Sequence, residues 1–313
     1  MTPDDRSGGP TAGAVTSELW GRKAREMGET DAWQRRYWQS HPATIRHINR
    51  LITGSEDETW LAFTKRRFVP EPGDRGLSLG CGHGWTERDS IRLDVCRTME
   101  GYDLSEEALE VARSEAVAAG LDDRISYRQA DLNVVELAPD SYDVVVAAQV
   151  LHHVNDLEHL LDQVKRSLRP NGVFVVQEYV GPARFQWLDK TELLMNRILE
   201  TLPAEYRVDP FSGSLKERLE RARPEDIAAA DPSESIRSDE IVALLESRFE
   251  VLYRADFGGT LLQFVLADIA ANFDETDPRD AALLDLMSLF EEVLVAERVL
   301  PSDFAFFVLS PLR

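Results

Sequence analysis

Between Gly76 and Val176 short apolar runs alternate with segments of helical periodicity, and this alternation constrains the fold more than any other feature of the chain. Gly76-Leu-Ser-Leu79, Thr98-Met-Glu-Gly-Tyr102, Ile125-Ser-Tyr127, Tyr142 to Val150 and Val173-Phe-Val-Val176 read as five strands. Strands separated by helices imply a parallel sheet with right-handed crossovers. Ser105 can cap a helix that carries Leu109, Ala112 and Ala116 on one face and stops at Gly120. Asn155-Asp-Leu-Glu158 opens another, with Leu157, Leu160, Leu161, Val164 and Leu168 on one stripe. In open sheets of this kind ligands bind beyond the carboxyl ends of the strands. Function is therefore sought just after each strand.

The remainder divides by composition. Residues 1–17 are rich in Gly, Pro, Ser and Thr and read as a disordered tail. Residues 18–69 read as a helical segment with a break signal at Pro42 and four of the six tryptophans. Rings so concentrated must bury against a core or a ligand. Residues 70–183 hold the alternating core, 184–247 a largely helical insertion, and 248–313 the closing elements. In that last part Phe249–Ala255 and Phe304–Leu309 read as strands, Gly258–Phe273 and Ala281–Val299 as helices. Lys216 to Arg223 reads as a solvated helix face.

Charge and cysteine usage narrow the function classes. Among 313 residues, 35 Lys and Arg stand against 56 Asp and Glu, a net charge of −21. Such a chain repels phosphate backbones, so no nucleic-acid partner is expected. Two cysteines, Cys81 and Cys96, build neither a disulfide scaffold nor a four-cysteine zinc site, and no metal is expected. No uncharged apolar run approaches the roughly 18 residues that span a bilayer. The first residues lack the apolar stretch of a secretory signal. The expectation is a cytoplasmic protein without a membrane partner.

The sharpest motif is Leu77-Ser-Leu-Gly80-Cys-Gly82-His-Gly84. Three glycines at alternate positions let backbone approach a ligand closely. A dinucleotide fingerprint would place glycine where Trp85 stands, and no Lys-Ser/Thr pair makes a phosphate loop. Asp103 follows the second strand, where a carboxylate can accept both hydroxyls of a ribose. Ala130-Asp131-Leu132 follows the third strand, and Asp143-Val-Val-Val-Ala-Ala-Gln-Val-Leu-His-His-Val154 runs through the fourth.

Together these features resemble the class I S-adenosylmethionine-dependent methyltransferases over roughly residues 70–180. The resemblance implies an α/β, Rossmann-like sheet of seven strands, mostly parallel, with one antiparallel strand near the end and helices on both faces. It implies S-adenosylmethionine as cofactor. Carried over by position, Gly80, Gly82 and Gly84, with Ser78 and Cys81 among them, would pack against its methionine and ribose parts. Asp103 and the adjacent Leu104 would bind the ribose, Asp131 and Leu132 the adenine, and Gln149 would lie near the sulfonium. The family often carries an acidic residue two positions before the first glycine; here Ser78 stands there, which weakens the expected grip on the cofactor's ammonium.

Methyl transfer is an in-line displacement in which positioning alone can supply about 7–11 kcal/mol. A base is needed only when the acceptor must lose a proton. His152 and His153, just past the fourth strand, are candidate bases. After the fifth strand, Glu178 can serve as base or bind an amine, and Arg184 can clamp an acceptor anion. Tyr179 can join the chemistry, and with Trp187 it can flank a cation or an apolar ring. The alternative for this segment is a strand exit tied down by a local ion pair and aromatic packing. Trp33, Tyr37, Trp38, His41 and His47 are candidate lid residues over the acceptor, Tyr37 and Trp38 foremost; the alternative for each is core packing. The reading is O- or N-methylation of a small-molecule acceptor. Alternatives are a reaction within or beside the cofactor that moves no methyl group, such as ring closure or isomerisation, and a non-catalytic cofactor-binding subunit.

Overall fold

The computed structural model describes residues 12–29 and 36–312. Seven strands form a single sheet: β1 (Gly73–Leu79), β2 (Cys96–Asp103), β3 (Ile125–Gln129), β4 (Tyr142–Ala148), β5 (Leu168–Tyr179), β6 (Phe249–Gly258) and β7 (Phe304–Pro311). Their order across the sheet is β3-β2-β1-β4-β5-β7-β6. Strands β1 to β5 pair in parallel, whereas β7 runs antiparallel to both β5 and β6. The expected seven-stranded, mostly parallel sheet is present, and its reversed strand is the last in the chain.

Alternation along the central strands explains why both faces are covered. Val145 and Ala147 face one layer, with Leu77, Leu79, Phe174, Val176 and Phe307. Helices α6 (Leu157–Ser167) and α10 (Ile241–Arg248) close that layer through Leu157, Leu160, Leu161, Val164, Ile241 and Leu245. Val144 and Val146 face the other layer, with Met99, Val175, Phe306 and Val308. Its cover includes α2 (Pro42–Thr53), α3 (Trp60–Arg67) and α12 (Pro278–Ala296). Trp38 and Trp60 are buried here, so these rings belong to the core. Trp33 lies outside the described residues.

Local chemistry sets the helix starts. Ser105 accepts from the Ala108 amide at the head of α5 (Glu106–Ala118), and Asp156 accepts from the His159 amide at the head of α6. Pro42 occupies the first turn of α2, with His41 as its cap accepting from the Ala43 amide. Gly84, at φ 80°, starts α4 (Trp85–Arg92).

Several boundaries differ from the sequence reading. Helix α1 (Ala12–Glu29) begins inside the segment expected to be a disordered tail; residues 1–11 lie outside the described residues. Gly258 and Gly259 both have positive φ, which keeps the chain out of right-handed helix directly after β6. The helix expected over 258–273 therefore shrinks to α11 (Leu262–Leu266) and a single later turn. In the insertion, α7 (Asp189–Thr201), α8 (Ala204–Arg207) and α9 (Pro224–Ala230) leave residues 208–223 without helix. Lys216 does not sit on a solvated helix face: its ammonium donates to the carbonyls of Phe264, Val265 and Ala267, the open C-terminal end of α11.

Candidate active site

The carboxyl ends of β1, β2, β4 and β5 meet at one edge of the sheet, and the loops that leave them build the site. Gly80, Gly82 and Gly84 all have positive φ, at 60°, 52° and 80°. A Cβ at Gly80 would come within 2.2 Å of Val150, whereas one at Gly82 would meet nothing within 4 Å. The loop is thus packed from behind at Gly80 and open in front at Gly82. Asp103 fixes it: its Oδ2 accepts from the Gly82 amide at 2.9 Å and its Oδ1 from the Ser105 amide at 2.9 Å. Burial pushes the Asp103 carboxyl up, and those amide donors oppose the shift.

The other expected cofactor positions flank this loop. Leu104 is half-buried after Asp103, and its carbonyl accepts from Ser17 of α1 and from Gln129. Asp131 is exposed at the end of β3, one oxygen accepting from the Asn133 amide and side chain; Leu132 beside it is buried. Gln149 holds a left-handed backbone, φ 57°, and donates to the Gln177 side chain at 3.2 Å. A non-glycine residue in that region stores strain, which is typical of ligand sites. Cys81 is buried and its thiol is pushed well up, first by burial, which disfavours the thiolate.

Some 28 residues of sequence separate Val150 from the group that organises the second half of the site. Glu178, fully buried at the end of β5, accepts from the amides of Val150 at 2.9 Å, Leu151 at 2.6 Å and Tyr179 at 2.7 Å. Its Oε1 also meets Nδ1 of His152. A carboxylate surrounded by donors fixes the proton of His152 on Nδ1 and leaves Nε2 as the basic nitrogen. Burial lowers the pKa of His152, but Glu178, then Glu234 and Asp231, more than offset it, and the imidazole ends above its ordinary value. His153, in ring contact with His152 at 4.1 Å, is lowered to about 4 by burial and then by the charge of His152.

Glu234, with Ser233 beside it, is the member of this site that sequence reasoning missed. Its Oε1 lies 3.7 Å from His152 Nε2, and Ser233 Oγ lies 3.0 Å from His153 Nδ1. Asp231-Pro-Ser-Glu234 looks like an ordinary turn, and nothing in it advertises a contact 82 residues back along the chain. Donor atoms of His152, His153 and Glu234 come within 4.8 Å of one another, close enough to share a cation. That geometry was not foreseen in a chain for which no metal was expected.

The remaining expected residues divide. The Tyr37 phenol is pushed up by burial and then by the charges of Glu234 and Glu178, which sets it near this cluster. Trp20 of α1 meets His153 edge-on at 4.9 Å, so α1 touches both Leu104 and His153. Arg184, at φ 52°, does not present its guanidinium to an acceptor. It donates to the carbonyls of Asp231, Pro232 and Glu234 and so holds the loop that carries Glu234. Tyr179 donates its hydroxyl to the Pro182 carbonyl at 3.0 Å. Trp187 is buried against Phe264, and Trp38 against Phe304. His41 is a helix cap tied to the Phe273 carbonyl, and His47 lies half-buried beside Arg50, which pairs with Glu292 of α12.

A doubly wound sheet with this strand order, a glycine loop after β1 and a carboxylate after β2 defines a class of nucleoside-binding transferases. Residues 77–176 match the methyltransferase domain family. The chain is 27% identical over 269 residues to the 27-O-demethylrifamycin SV methyltransferase of Amycolatopsis mediterranei, covering 84% of this chain and 91% of that one. It is 33% identical over 156 residues to the ubiquinone biosynthesis O-methyltransferase of Azorhizobium caulinodans, covering 48% and 60%. In fold it is similar to the cyclase SpnF, with a TM-score of 0.54 at 16% identity over 97% and 98% of the two chains. It is also similar to the Haemonchus contortus phosphoethanolamine N-methyltransferase 2 bound to S-adenosylmethionine, with a TM-score of 0.50 at 17% identity over 88% and 58%. The similarity is thus to methyltransferases, through a methyltransferase domain over residues 77–176. The open backbone at Gly82 beside the half-buried Asp103 carboxylate fits S-adenosylmethionine, the cofactor that such a methyltransferase domain uses. Among the described residues, no helix is long and apolar enough to cross a membrane.

Proposed function

We propose that this chain methylates a hydroxyl group of a small-molecule acceptor, with His152 as general base. The observation that carries this reading is the buried contact between Glu178 and His152 at the carboxyl edge of the sheet. Bound at the glycine loop, S-adenosylmethionine supplies a methyl group on a sulfonium. Gly80, Gly82, Gly84 and Asp103 hold it, with Leu104, Asp131, Leu132 and Gln149 around its nucleoside. His152 Nε2 takes the acceptor proton, and Glu178 and Glu234 stabilise the imidazolium so formed. Tyr37, whose phenol stays protonated, donates to the acceptor or to Glu234. Arg184 acts through the 231–235 loop and not on the acceptor itself.

A small-molecule acceptor is supported by two relatives, one named for an O-methylation of demethylrifamycin SV and one for an O-methylation in ubiquinone biosynthesis. The net charge of −21 argues against a polyanionic acceptor.

The test is a screen of phenolic and polyketide-type alcohols that follows S-adenosylhomocysteine. An active acceptor should lose about 10²- to 10⁴-fold in kcat with His152→Gln at unchanged cofactor affinity. Methylthioadenosine in place of S-adenosylhomocysteine would mean ring closure within the cofactor. Full activity in His152→Gln would remove the base.

A further inference from the structure

We propose that Glu87 is the counter-charge for the ammonium of the bound cofactor, acting from the helix after the glycine loop in place of the strand carboxylate that Ser78 lacks. This rests on the cofactor assignment made above. Ser78 lies on β1, two residues before the first glycine of the loop, and is buried. Glu87 lies in the first turn of α4, directly after that loop, and is also fully buried. Neither carboxylate oxygen of Glu87 has a partner in hydrogen-bond geometry.

A carboxylate in that state is costly unless something positive or protic completes it. Glu87 is the third residue of α4, from which a glutamate can reach back to cap the helix, yet neither of its oxygens bonds a backbone amide there. The polar group set against it is the Ser78 hydroxyl, whose contact favours its ionised form. Arg88 also favours ionisation and Asp103 opposes it; burial outweighs both and raises the carboxyl to about 7. Cys81 and Tyr127 both feel its charge, which places it behind the loop and not beside the acceptor.

The chemistry closes if the two residues act as a unit. With the cofactor bound, the Ser78 hydroxyl would turn to donate to Glu87 while its lone pair accepts from the incoming ammonium. A serine alone offers a dipole, whereas a serine backed by a buried carboxylate offers most of a charge. The strand position and the helix position thus exchange roles: the shorter side chain on β1 leaves the space that the longer one from α4 fills.

Calorimetric titration with S-adenosylhomocysteine and with its des-amino analogue isolates the ammonium, and thermal melting confirms the fold of each variant. Wild type should prefer the amine-bearing ligand by about tenfold or more, and Glu87→Gln should remove that preference while the des-amino analogue still binds. The double variant Ser78→Asp, Glu87→Gln returns the carboxylate to the strand and should restore the preference to within about threefold. A folded Glu87→Gln protein that keeps the wild-type preference would overturn the proposal. Wild type that binds neither ligand would overturn the cofactor assignment and the proposal with it.

Discussion

Glu178 accepts from three backbone amides and from Nδ1 of His152 at once, so one buried carboxylate ties the ends of two neighbouring strands to the same imidazole. The register of the sheet makes this possible. Strands β4 and β5 run in parallel with Ala148 opposite Gln177, so the residues that follow each strand emerge side by side. The carboxylate then orients the ring, fixes its tautomer and sets its charge.

The rate should therefore rise with pH through the titration of His152. A base works only when unprotonated, and the folded pKa lies above the ordinary 6.5, so the acidic limb of kcat/KM falls above pH 6.5. Glu178→Gln removes the main charge that raises it. The limb should move to lower pH while the maximum rate drops about tenfold or more, as read from a pH–rate profile.

Arg184→Ala should loosen the 231–235 loop by deleting its donors to the carbonyls of Asp231, Pro232 and Glu234. The expected effect is a KM for the acceptor raised by about tenfold, with cofactor affinity unchanged. A fall in cofactor affinity alone, by titration, would contradict this placement.

Two glycine substitutions should separate packing from binding. Gly80→Ala drives a Cβ into Val150 at φ 60°, and backbone strain of about 1–2 kcal/mol joins overpacking of about 1–3 kcal/mol. Gly82→Ala meets open space and should cost only the strain, about 1–2 kcal/mol, yet obstruct the cofactor. Thermal unfolding and cofactor titration on both variants check the contrast.

Asp303 is buried with both oxygens unpartnered, and burial, followed by the charge of Glu291, raises it to about 7. A carboxyl raised in the folded state destabilises that state progressively as pH climbs above its unfolded value. Asp303→Asn should thus raise the melting temperature by several degrees at pH 8 and by much less at pH 4.

Dialysis against a chelator should leave the activity unchanged, because His152 works as a base and not as a ligand. A loss restored by one divalent metal would instead assign the close approach of His152, His153 and Glu234 to a cation.

Local patterns carried the sheet and the place of the glycine loop at its carboxyl edge. Strand and helix signals repeat every few residues between Gly76 and Val176, and parallel crossovers admit one handedness, so the order of elements could be read directly. Gly80, Gly82, Gly84 and Asp103 were legible because each follows a strand at the edge where ligands bind. The late helices were less legible, since Gly258 and Gly259 break a pattern that composition alone makes helical.

What tertiary structure decided is where side chains separated by long stretches of chain meet. The sequence identified His152 and Glu178 as chemically able, but only the parallel pairing of β4 and β5 brings them into contact. Glu234 joins them because Arg184 folds its loop back over the strand ends, and Ser78 gains a carboxylate because α4 turns Glu87 inward. Trp38, Trp187 and His41 have the chemistry of ligand contacts, yet packing buries them. Periodicity reports which face of an element is apolar; it does not report which other element will cover that face.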